Sequence, residues 1–408
     1  MMRLFINGLA ASAGGGLTYL RNVIPHLARR AGVETTVLLN AAIRRELGET
    51  PNVAFVDAPD CSGAFRRIVF EQTKLQELLR RCGAQVLVST GNFALWSSPV
   101  PQILLSRNSL YTSADFRRDV RSRGEYFILA DTMIKGWFAR QSIQRADVTV
   151  APSNAFAEEL RRSTGKNVLA VHHGFDRDAF TRDPAPLSEK VQRQLEGGKN
   201  ALRLLFVSHY NYYRNFETLF RALPILSERL KGKVKLFLTC QLSSGENPGS
   251  YRAESAASLV SSLCSHGSVV ELGAVPYRSL HHLYGACHIY VTPAYAESFA
   301  HPLIEAMSSG LPVVASDLPV HREICEDAAI YFPRFSPENL AGGVLQIQES
   351  PQLARKLSVN GLNRAQDFSW HNHVESLIAL SERLVSASPQ EGRAIEAPGL
   401  RTSNGNQR

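Results

Sequence analysis

The stretch Tyr290–Ser316, YVTPAYAESFAHPLIEAMSSGLPVVAS, has the pattern of a strand, a helix and a second strand. An apolar run ends near Thr292, and Pro302 suits the first turn of a helix, where no partner exists for its missing N–H. Gly310 suits the left-handed position after a helix, and the proline two residues later stops the helix. The stretch therefore predicts a helix from Pro302 to about Ser309 between two buried strands.

The same alternation of strand and helix extends over the rest of the chain. Near-continuous apolar runs indicate strands buried on both faces, and helical stretches such as Thr18–Arg30 and Phe70–Arg81 separate them. This order predicts an α/β fold with parallel, doubly wound sheets. The predicted strands are residues 4–6, 35–39, 53–56, 85–89, 102–105, 148–151 and 168–171 in the first half, and 203–207, 233–239, 269–272, 289–292, 312–315 and 329–332 in the second.

The chain length of 408 residues predicts two domains. We expect an N-terminal domain over 1–176 and a C-terminal domain over 201–365. Residues 177–200, which are rich in proline, glycine and charge, are predicted to be a linker. A helix over 366–386 is expected to pack back toward the first domain, and the aperiodic tail 387–408 is predicted to be disordered.

The composition excludes several classes of protein. Hydrophobic residues make up 44% and charged residues 20%, which excludes wholesale disorder. No apolar run reaches the roughly 18 residues of a transmembrane helix. Six cysteines, no two of them three apart, indicate reduced thiols in a cytoplasmic protein. The net charge of +8 suits a phosphate-bearing ligand or an anionic membrane surface and does not by itself indicate a nucleic acid.

Two carboxylates frame the helix of the opening stretch. Glu297 lies in the loop before the helix, and Glu305 lies about one turn into it. Free N–H groups at a helix N-terminus favour an anion such as phosphate. A carboxylate beside that anion can accept hydrogen bonds from a ribose diol, each worth on the order of 1.5–3 kcal/mol. The alternative is that both acids only complement the helix dipole.

With Glu297, seven intervening residues, Glu305 and the following AMSSGLPVVAS, the chain resembles the GT4 family of glycosyltransferases. The resemblance covers most of the chain in order. It includes the glycines at 14–16, ADVTVAPSNAFAEEL (146–160), VHHGFDRDAF (171–180), VSHYNYYRNFETLFRAL (207–223) and the Phe-Ser-Trp of 368–370. Members of this family are retaining enzymes of GT-B architecture that use nucleotide sugars. The resemblance implies two Rossmann-like domains that face a cleft, with the N-terminal domain on the acceptor side and the nucleotide sugar bound by the second domain.

The family's donor contacts carry over to particular positions of this chain. Gly15 and Gly16 would let the backbone approach the donor diphosphate or sugar. Arg214 takes the place of a phosphate-binding lysine and suits phosphate as a planar fork. His209 stands where the family usually has arginine, and a phosphate neighbour would favour its charged form. Glu305 would bind the ribose hydroxyls.

The transferred sugar has its own implied contacts. Its hydroxyls would be held by Glu297 and by the backbone of the four following residues, Ser298, Phe299, Ala300 and His301. Asn108 stands where family members often have a histidine near the sugar, and it can hydrogen-bond but cannot act as a base. By the same analogy, the departing phosphate takes the acceptor proton. The implied catalytic residues are Glu297, Arg214 and Asn108.

Other motifs indicate other chemistries less strongly. Residues 176–178, Asp-Arg-Asp, have the spacing of a metal motif from a different glycosyltransferase fold, but an Asp there more often caps a turn or helix. The neighbouring His281 and His282 would face apart on a helix, which disfavours a zinc site with His288. Tyr19 replaces the third glycine of a dinucleotide-binding GxGxxG motif, and no P-loop motif is present.

Residues 107–145 hold eight Lys or Arg against four Asp or Glu and include six aromatic residues. One interpretation is a basic and aromatic surface that contacts anionic lipid headgroups or a lipid-linked acceptor, at the inner face of the plasma membrane. The other is an ordinary helical segment whose aromatic side chains are core and whose arginines are solvated. The aromatic residues are Tyr111, Phe116, Tyr126, Phe127, Trp137 and Phe138.

These observations predict a glycosyltransferase of the hexosyltransferase class. It would move a hexosyl unit from a nucleotide-diphosphate sugar to a hydroxyl of a glycan or lipid-linked acceptor, with retention, no cofactor and no essential metal. The segments 208–219 and 297–307 resemble those of bacterial mannosyl- and rhamnosyltransferases of surface-polysaccharide assembly, which favours a GDP-sugar over a UDP-sugar. The alternatives are a GT-B-fold nucleotide-sugar epimerase and a non-catalytic, glycosyltransferase-like binding protein.

Overall fold

The computed structural model describes residues 1–11, 15–59, 63–182, 185–243, 245, 247 and 251–387. These residues form thirteen strands, and each predicted strand is confirmed to within two residues at either end. The strands are β1 (Met2–Asn7), β2 (Val33–Asn40), β3 (Val53–Ala58), β4 (Val86–Ser89), β5 (Gln102–Leu105), β6 (Val148–Ala151), β7 (Val168–Ala170), β8 (Leu202–Phe206), β9 (Val234–Leu238), β10 (Val269–Glu271), β11 (Ile289–Thr292), β12 (Val313–Ser316) and β13 (Ala329–Phe332).

The strands form two separate sheets in which every pairing is parallel. The first sheet has the order β3-β2-β1-β4-β5-β6-β7, and the second has the order β10-β9-β8-β11-β12-β13. In each sheet the chain begins at an inner strand and adds two strands toward one edge. It then returns to the other side of the first strand and adds the remaining strands toward the opposite edge, as in doubly wound folds. The reversal lies between β1 and β4 in the first sheet and between β8 and β11 in the second. The predicted α/β class with doubly wound parallel sheets is confirmed.

The helices lie between the strands, as the alternation predicted. The helix predicted over 18–30 spans Gly15–Ala28, and the one predicted over 70–81 begins six residues earlier, at Ala64. In the described part of the chain, no helix combines the length and apolar character that crossing a membrane requires. The helices are α1 (Gly15–Ala28), α2 (Ala41–Leu47), α3 (Ala64–Arg81), α4 (Ala114–Ser122), α5 (Tyr126–Arg145), α6 (Asn154–Thr164), α7 (Arg177–Arg182), α8 (Glu189–Glu196), α9 (Phe216–Arg229), α10 (Glu254–Leu263), α11 (Tyr277–Gly285), α12 (His301–Ser308), α13 (Pro319–Cys325), α14 (Pro337–Glu349), α15 (Pro351–Arg364) and α16 (Trp370–Ser386).

The segment 177–200, predicted to be a linker, contains helices α7 and α8. Helix α8 is capped by the Ser188 hydroxyl, which accepts a hydrogen bond from the backbone N–H of Val191. Val191 and Leu195 are buried, so α8 packs as an amphipathic helix. The predicted disordered tail, 387–408, lies outside the described residues from 388 onward.

The chain divides into two compact units. Among the described residues, those within 1–107, 135–174 and 370–387 form the first unit, and those within 108–134 and 175–369 form the second. The division differs from the predicted domain boundaries because residues 108–134 group with the second sheet. Their α4 places Asp119 2.6 Å from the Tyr295 hydroxyl, and Arg123 donates to Glu217 at 2.9 Å. These long-range polar contacts leave no local signal in the sequence.

Helix α16 belongs to the first unit and is fixed there by an aromatic cluster. Trp370 at its start is buried and packs against Tyr19 on α1, with ring centroids 5.8 Å apart. The Tyr19 hydroxyl lies 3.0 Å from Nε2 of His373, whose Nδ1 lies 2.8 Å from the carbonyl oxygen of His172. Burial lowers the pKa of His373 to about 4, so the ring is neutral and can bridge these groups.

We expect Trp370→Ala to destabilise the first unit by about 3–5 kcal/mol, because it removes a large buried ring from a packed cluster. Urea unfolding followed by circular dichroism measures the loss. Val385→Ala on the same helix removes an exposed side chain and serves as the control. Equal unfolding midpoints for the two variants would contradict the packing described here.

Candidate functional site

The second sheet places the predicted donor residues at its carboxyl edge. Strands β8 and β11 are neighbours and parallel, so the loops after them emerge side by side. His209 and Arg214 follow β8, and Glu297 and Glu305 follow β11. The topology therefore explains why two segments more than 80 residues apart in the chain supply one cluster.

Arg214 and Glu297 form a direct ion pair at this edge. Nη1 of Arg214 donates to Glu297, and the two side chains are only 21% and 10% exposed. Burial lowers the pKa of Arg214, but the charge of Glu297, the phenols of Tyr213 and Tyr290 and the hydrogen bond to Glu297 together raise it above its ordinary value. Nε of Arg214 is buried and has no hydrogen-bond partner among the described residues. The ion pair therefore leaves this buried donor of the guanidinium unsatisfied.

Glu305 lies on the buried side of α12 and has a different partner. Tyr284, on α11, donates its hydroxyl proton to Glu305 at 2.8 Å. Burial raises the pKa of Glu305 to about 7, although the Tyr284 hydrogen bond acts in the opposite direction. The neighbouring Tyr290 of β11 is buried, and the charges of Arg214, Glu305 and Glu297 all act on its phenol. The two glutamates thus share one electrostatic environment without touching.

The loop that carries Glu297 is held at two consecutive residues. The carbonyl oxygen of Ala294 accepts a hydrogen bond from the Ser316 hydroxyl. The N–H of Tyr295 donates to the carbonyl oxygen of Tyr213 at 3.0 Å, and its hydroxyl donates to Asp119. These contacts connect the loop to β12, to the segment before Arg214 and to α4. They fix the backbone from which Glu297 reaches Arg214.

His321 is a buried polar residue that the sequence analysis missed. Its Nδ1 lies 2.9 Å from the carbonyl oxygen of Ser316 and therefore carries a proton, so Nε2 is an acceptor. Nε2 is buried without a hydrogen-bond partner among the described residues. Burial lowers the pKa of His321, and the charges of Glu297 and Arg214 both act on the ring. A single histidine between strand and helix gives no sequence signal that would have identified it.

The other predicted donor residues of the second unit lie in the segments that follow β8 and β11. His209 keeps an exposed surface. Partial burial of its ring and, to a smaller extent, the charge of Arg214 lower the pKa of His209. The N–H of Ser298 donates to Glu297 at 3.3 Å, Phe299 and Ala300 are buried, and the ring of His301 packs edge-on against Phe299. Helix α12 begins at His301, one residue before the predicted start, and no side chain caps it at Ala300.

The remaining predicted site residues lie in other places. Gly15 and Gly16 open α1 in the first unit, beside residues 12–14, which lie outside the described residues. A Cβ on Gly16 would lie 3.0 Å from Cα of Ala11, whereas a Cβ on Gly15 would meet nothing. Asn108 begins the 108–134 segment, and its side-chain oxygen accepts from the N–H of Leu110 at 3.0 Å. The roles of these three residues stay predictions.

The competing motifs have ordinary structural explanations. The Asp176 side chain accepts a hydrogen bond from the N–H of Ala179 at 2.9 Å, so it caps α7 as expected. Within the described ranges, no three His, Cys, Asp or Glu side chains come together in a way that could hold a metal ion.

Solved structures place this architecture in a known class of protein. Sucrose-phosphate synthase from Thermosynechococcus elongatus superposes with a TM-score of 0.73 at 18% identity, over 95% of this chain and 100% of that one. Anabaena HepE in complex with UDP-glucose superposes with a TM-score of 0.69 at 17% identity, over 93% of this chain and 99% of that one. The fold is that of the GT-B glycosyltransferases.

Family models divide the chain at the same place as its two sheets. Residues 13–179 match the model described as Glycosyltransferase Family 4, and residues 188–364 match Glycosyl transferases group 1. The chain belongs to the GT4 glycosyltransferases.

Curated relatives match shorter stretches. O-antigen chain mannosyltransferase B of Escherichia coli is 33% identical over 106 residues, which is 26% of this chain and 28% of that protein. The D-inositol 3-phosphate glycosyltransferase of Corynebacterium aurimucosum is 26% identical over 240 residues, which is 57% of this chain and 55% of that protein. The matches thus span between about a quarter and just over half of these relatives.

Glu305 should make the stability of the protein depend on pH. Because the pKa of Glu305 in the folded state, about 7, exceeds the ordinary value of 4.5, the folded protein holds this proton more tightly than the unfolded chain. The stabilisation that results is fully present below pH 4.5 and is lost as the pH rises through 7. The loss relative to Glu305→Gln should be on the order of 3 kcal/mol between pH 5 and pH 8. Urea unfolding of both proteins at both pH values measures it. The other titratable groups contribute equally to both proteins, so their effects cancel in the comparison. Parallel pH profiles of the free energy of unfolding would contradict the raised pKa of Glu305.

Proposed function

We propose that this chain transfers a hexosyl unit from a nucleotide-diphosphate sugar to a hydroxyl of a glycan or lipid-linked acceptor, with retention of configuration. The observation that carries the proposal is the Arg214–Glu297 pair at the switch point of the second sheet, together with the buried Glu305 on the helix that follows. Membership of the GT4 family supports it. The UDP-glucose bound to Anabaena HepE shows that a protein of the same fold accepts this class of donor.

Each part of the donor would meet a suitable group. The diphosphate would be bound by Arg214, whose buried Nε is an unused donor, and by the uncapped N-terminus of α12. The ribose hydroxyls would donate to Glu305, and ionisation of this carboxylate on binding would strengthen both hydrogen bonds. Glu297 and the backbone of residues 298–301 would hold the hydroxyls of the sugar. Arg214 and the helix supply positive charge, so we propose that no metal is essential.

We propose a single chemical step with retention of configuration. The bond between the anomeric carbon and the diphosphate oxygen breaks, and its electron pair leaves with the diphosphate. The acceptor hydroxyl oxygen forms the new bond to the same face of the anomeric carbon. Its proton passes to the departing diphosphate oxygen, so no protein base is required. Arg214 stabilises the charge that develops on the leaving group, which is the larger share of catalysis in such sites.

The identities of the donor and acceptor belong to the same proposal. We favour a GDP-sugar, with mannose or rhamnose as the transferred unit, because the segments around Arg214 and Glu297 resemble those of mannosyl- and rhamnosyltransferases. The partial match to an O-antigen chain mannosyltransferase supports this choice. We propose a glycan or lipid-linked acceptor, and for a lipid-linked one we propose peripheral contact with an anionic membrane.

A donor-hydrolysis assay tests the proposal without a known acceptor. The purified chain is incubated in EDTA with GDP-mannose or UDP-glucose, and ¹H NMR follows the donor and the anomer of the sugar released first. We expect slow consumption of one donor with the α anomer released first, and a loss of about 10²–10³ in rate for Glu297→Gln. Conversion of the donor to its epimer would establish the epimerase instead. No consumption and no nucleotide binding would leave the non-catalytic binding protein.

Arg214→Ala should weaken nucleotide-diphosphate binding by about 10- to 150-fold, because a charge-assisted hydrogen bond worth about 1.5–3 kcal/mol is lost. Isothermal titration calorimetry measures the change. Arg221→Ala, on the exposed side of α9, is the matched control and should bind like the wild type. Arg214→Lys should keep part of the affinity as a point charge. Wild-type affinity in Arg214→Ala would contradict the assigned phosphate contact.

A further inference from the structure

The loop after β13 is a tight turn that holds a phenylalanine in an unusual backbone conformation. The N–H of Ser336 donates to the carbonyl oxygen of Pro333 at 3.1 Å, which closes a four-residue turn. Phe335, at the third position of this turn, has a φ of 68°, in the left-handed region. Glycine or asparagine normally occupies such a position, because a bulky side chain with positive φ strains the backbone. The turn therefore keeps a large aromatic ring where the backbone favours glycine.

The ring of Phe335 is half exposed at the carboxyl edge of the second sheet. It lies over the ring of Tyr295, with the two centroids 5.3 Å apart and the ring planes at 35°. Tyr295 is 2% exposed, whereas Phe335 is 47% exposed. Coverage of Tyr295 accounts for one face of Phe335 and leaves the rest of the ring open to solvent. Strained backbone concentrates at sites that bind ligands, so the strain and the exposure together indicate a ring that is held out for a ligand.

Charged side chains accompany this ring. Nη1 of Arg334, the preceding residue, donates to Asp115 of α4 at 2.7 Å. Arg118 donates to the other carboxylate oxygen of Asp115 at 3.2 Å. The Arg334 side chain is 40% exposed, and its planar guanidinium carries five N–H donors, so it can serve a ligand as well as Asp115. One turn and the helix that contacts it thus supply an aromatic ring and a guanidinium–carboxylate pair.

The chemistry of these groups indicates the class of ligand. A pyranose ring has a face of C–H groups and a rim of hydroxyls. The C–H face packs against an aromatic ring, and the hydroxyls form charge-assisted hydrogen bonds with guanidinium and carboxylate groups. An acyl chain would satisfy neither charged group. The surroundings of Phe335 are therefore complementary to a neutral sugar ring.

We infer that Phe335, Arg334 and Asp115 form a subsite for a sugar ring of the acceptor glycan. The inference rests on the proposed function, in which Glu297 holds the transferred sugar. Tyr295, which Phe335 covers, lies two residues before Glu297 in the same loop. A sugar on Phe335 would therefore lie beside the loop that holds the transferred sugar, where an acceptor has to bind. The subsite would recognise the saccharide part of the acceptor.

Saturation-transfer NMR with α-linked mannotriose and with methyl α-L-rhamnopyranoside tests the subsite on the full-length protein, without a donor. The test variant is Phe335→Asn, because asparagine tolerates the left-handed conformation and removes the ring. Phe335→Trp keeps an aromatic face, and Arg334→Gln removes the guanidinium. The matched control is Phe127→Asn, which removes a phenylalanine that is 81% exposed elsewhere in the second unit. Circular dichroism and thermal unfolding verify that the variants fold.

We expect the wild type, Phe335→Trp and the control to bind at least one of the two saccharides. Phe335→Asn should bind it at least about tenfold more weakly, because the aromatic contact is lost. Arg334→Gln should bind it about two- to tenfold more weakly, because hydrogen bonds to the hydroxyls are lost. Absence of wild-type binding to both saccharides, equal binding by Phe335→Asn, or a matching loss in Phe127→Asn would overturn the inference.

Nucleotide binding by the same preparations distinguishes failure of this inference from failure of the proposed function. A wild type that binds a nucleoside diphosphate but neither saccharide would retain the proposed function and lose the subsite. A wild type that binds a saccharide through Phe335 but binds no nucleotide would retain the sugar site and lose the proposed function. Weaker nucleotide binding by Phe335→Asn would overturn the inference, because the ring would then hold the donor.

Discussion

The ion pair between Arg214 and Glu297 is the interaction on which the second unit's carboxyl edge depends. Both side chains are largely buried, and a buried charge that loses its partner costs about 3–5 kcal/mol. The loops after β8 and β11 must therefore stay together, although the paired residues are 83 positions apart. The parallel order of the sheet brings them together, and the pair then fixes where each loop can lie. The pair leaves the buried Nε of Arg214 as a donor for a ligand.

The same loop links the site to a segment from the other half of the chain. Tyr295, two residues before Glu297, contacts Asp119 of α4, and the neighbouring Glu217 holds Arg123. The 108–134 segment, which starts with Asn108 and ends within α5, is thus structurally part of the unit that carries the donor residues. A change in the backbone of the Glu297 loop would therefore act on α4 through the hydrogen bond from Tyr295 to Asp119.

Local sequence pattern was sufficient for the strands and for the helix that follows Glu297. Apolar runs and glycine or proline punctuation predicted all thirteen strands, and the helix after Pro302 was predicted to within one residue at either end. Helices α7 and α8 within 177–200 were not predicted, because both are short and the prolines and charged residues of this segment are typical of a linker. Tyr284 and Tyr295 could not be predicted, because only the tertiary fold brings their carboxylate partners close. His321 has a local partner, Ser316, but only the fold brings it under the charges of Glu297 and Arg214. The sequence left two interpretations of residues 107–145 open, because apolar residues lie on more than one face of α5. The structure exposes Tyr126, Phe127 and Trp137, contrary to the core interpretation, and buries Phe116.

We expect the carboxyl edge of the second sheet to bind a nucleoside diphosphate through Glu305 and without a metal. A thermal-shift panel of UDP, GDP, ADP and dTDP in EDTA, on the wild type and on Glu305→Ala, measures this binding. One nucleotide should stabilise the wild type, by about 2.7 kcal/mol at 100 times its Kd, and should not stabilise the variant. Stabilisation of neither protein, or equal stabilisation of both, would contradict it.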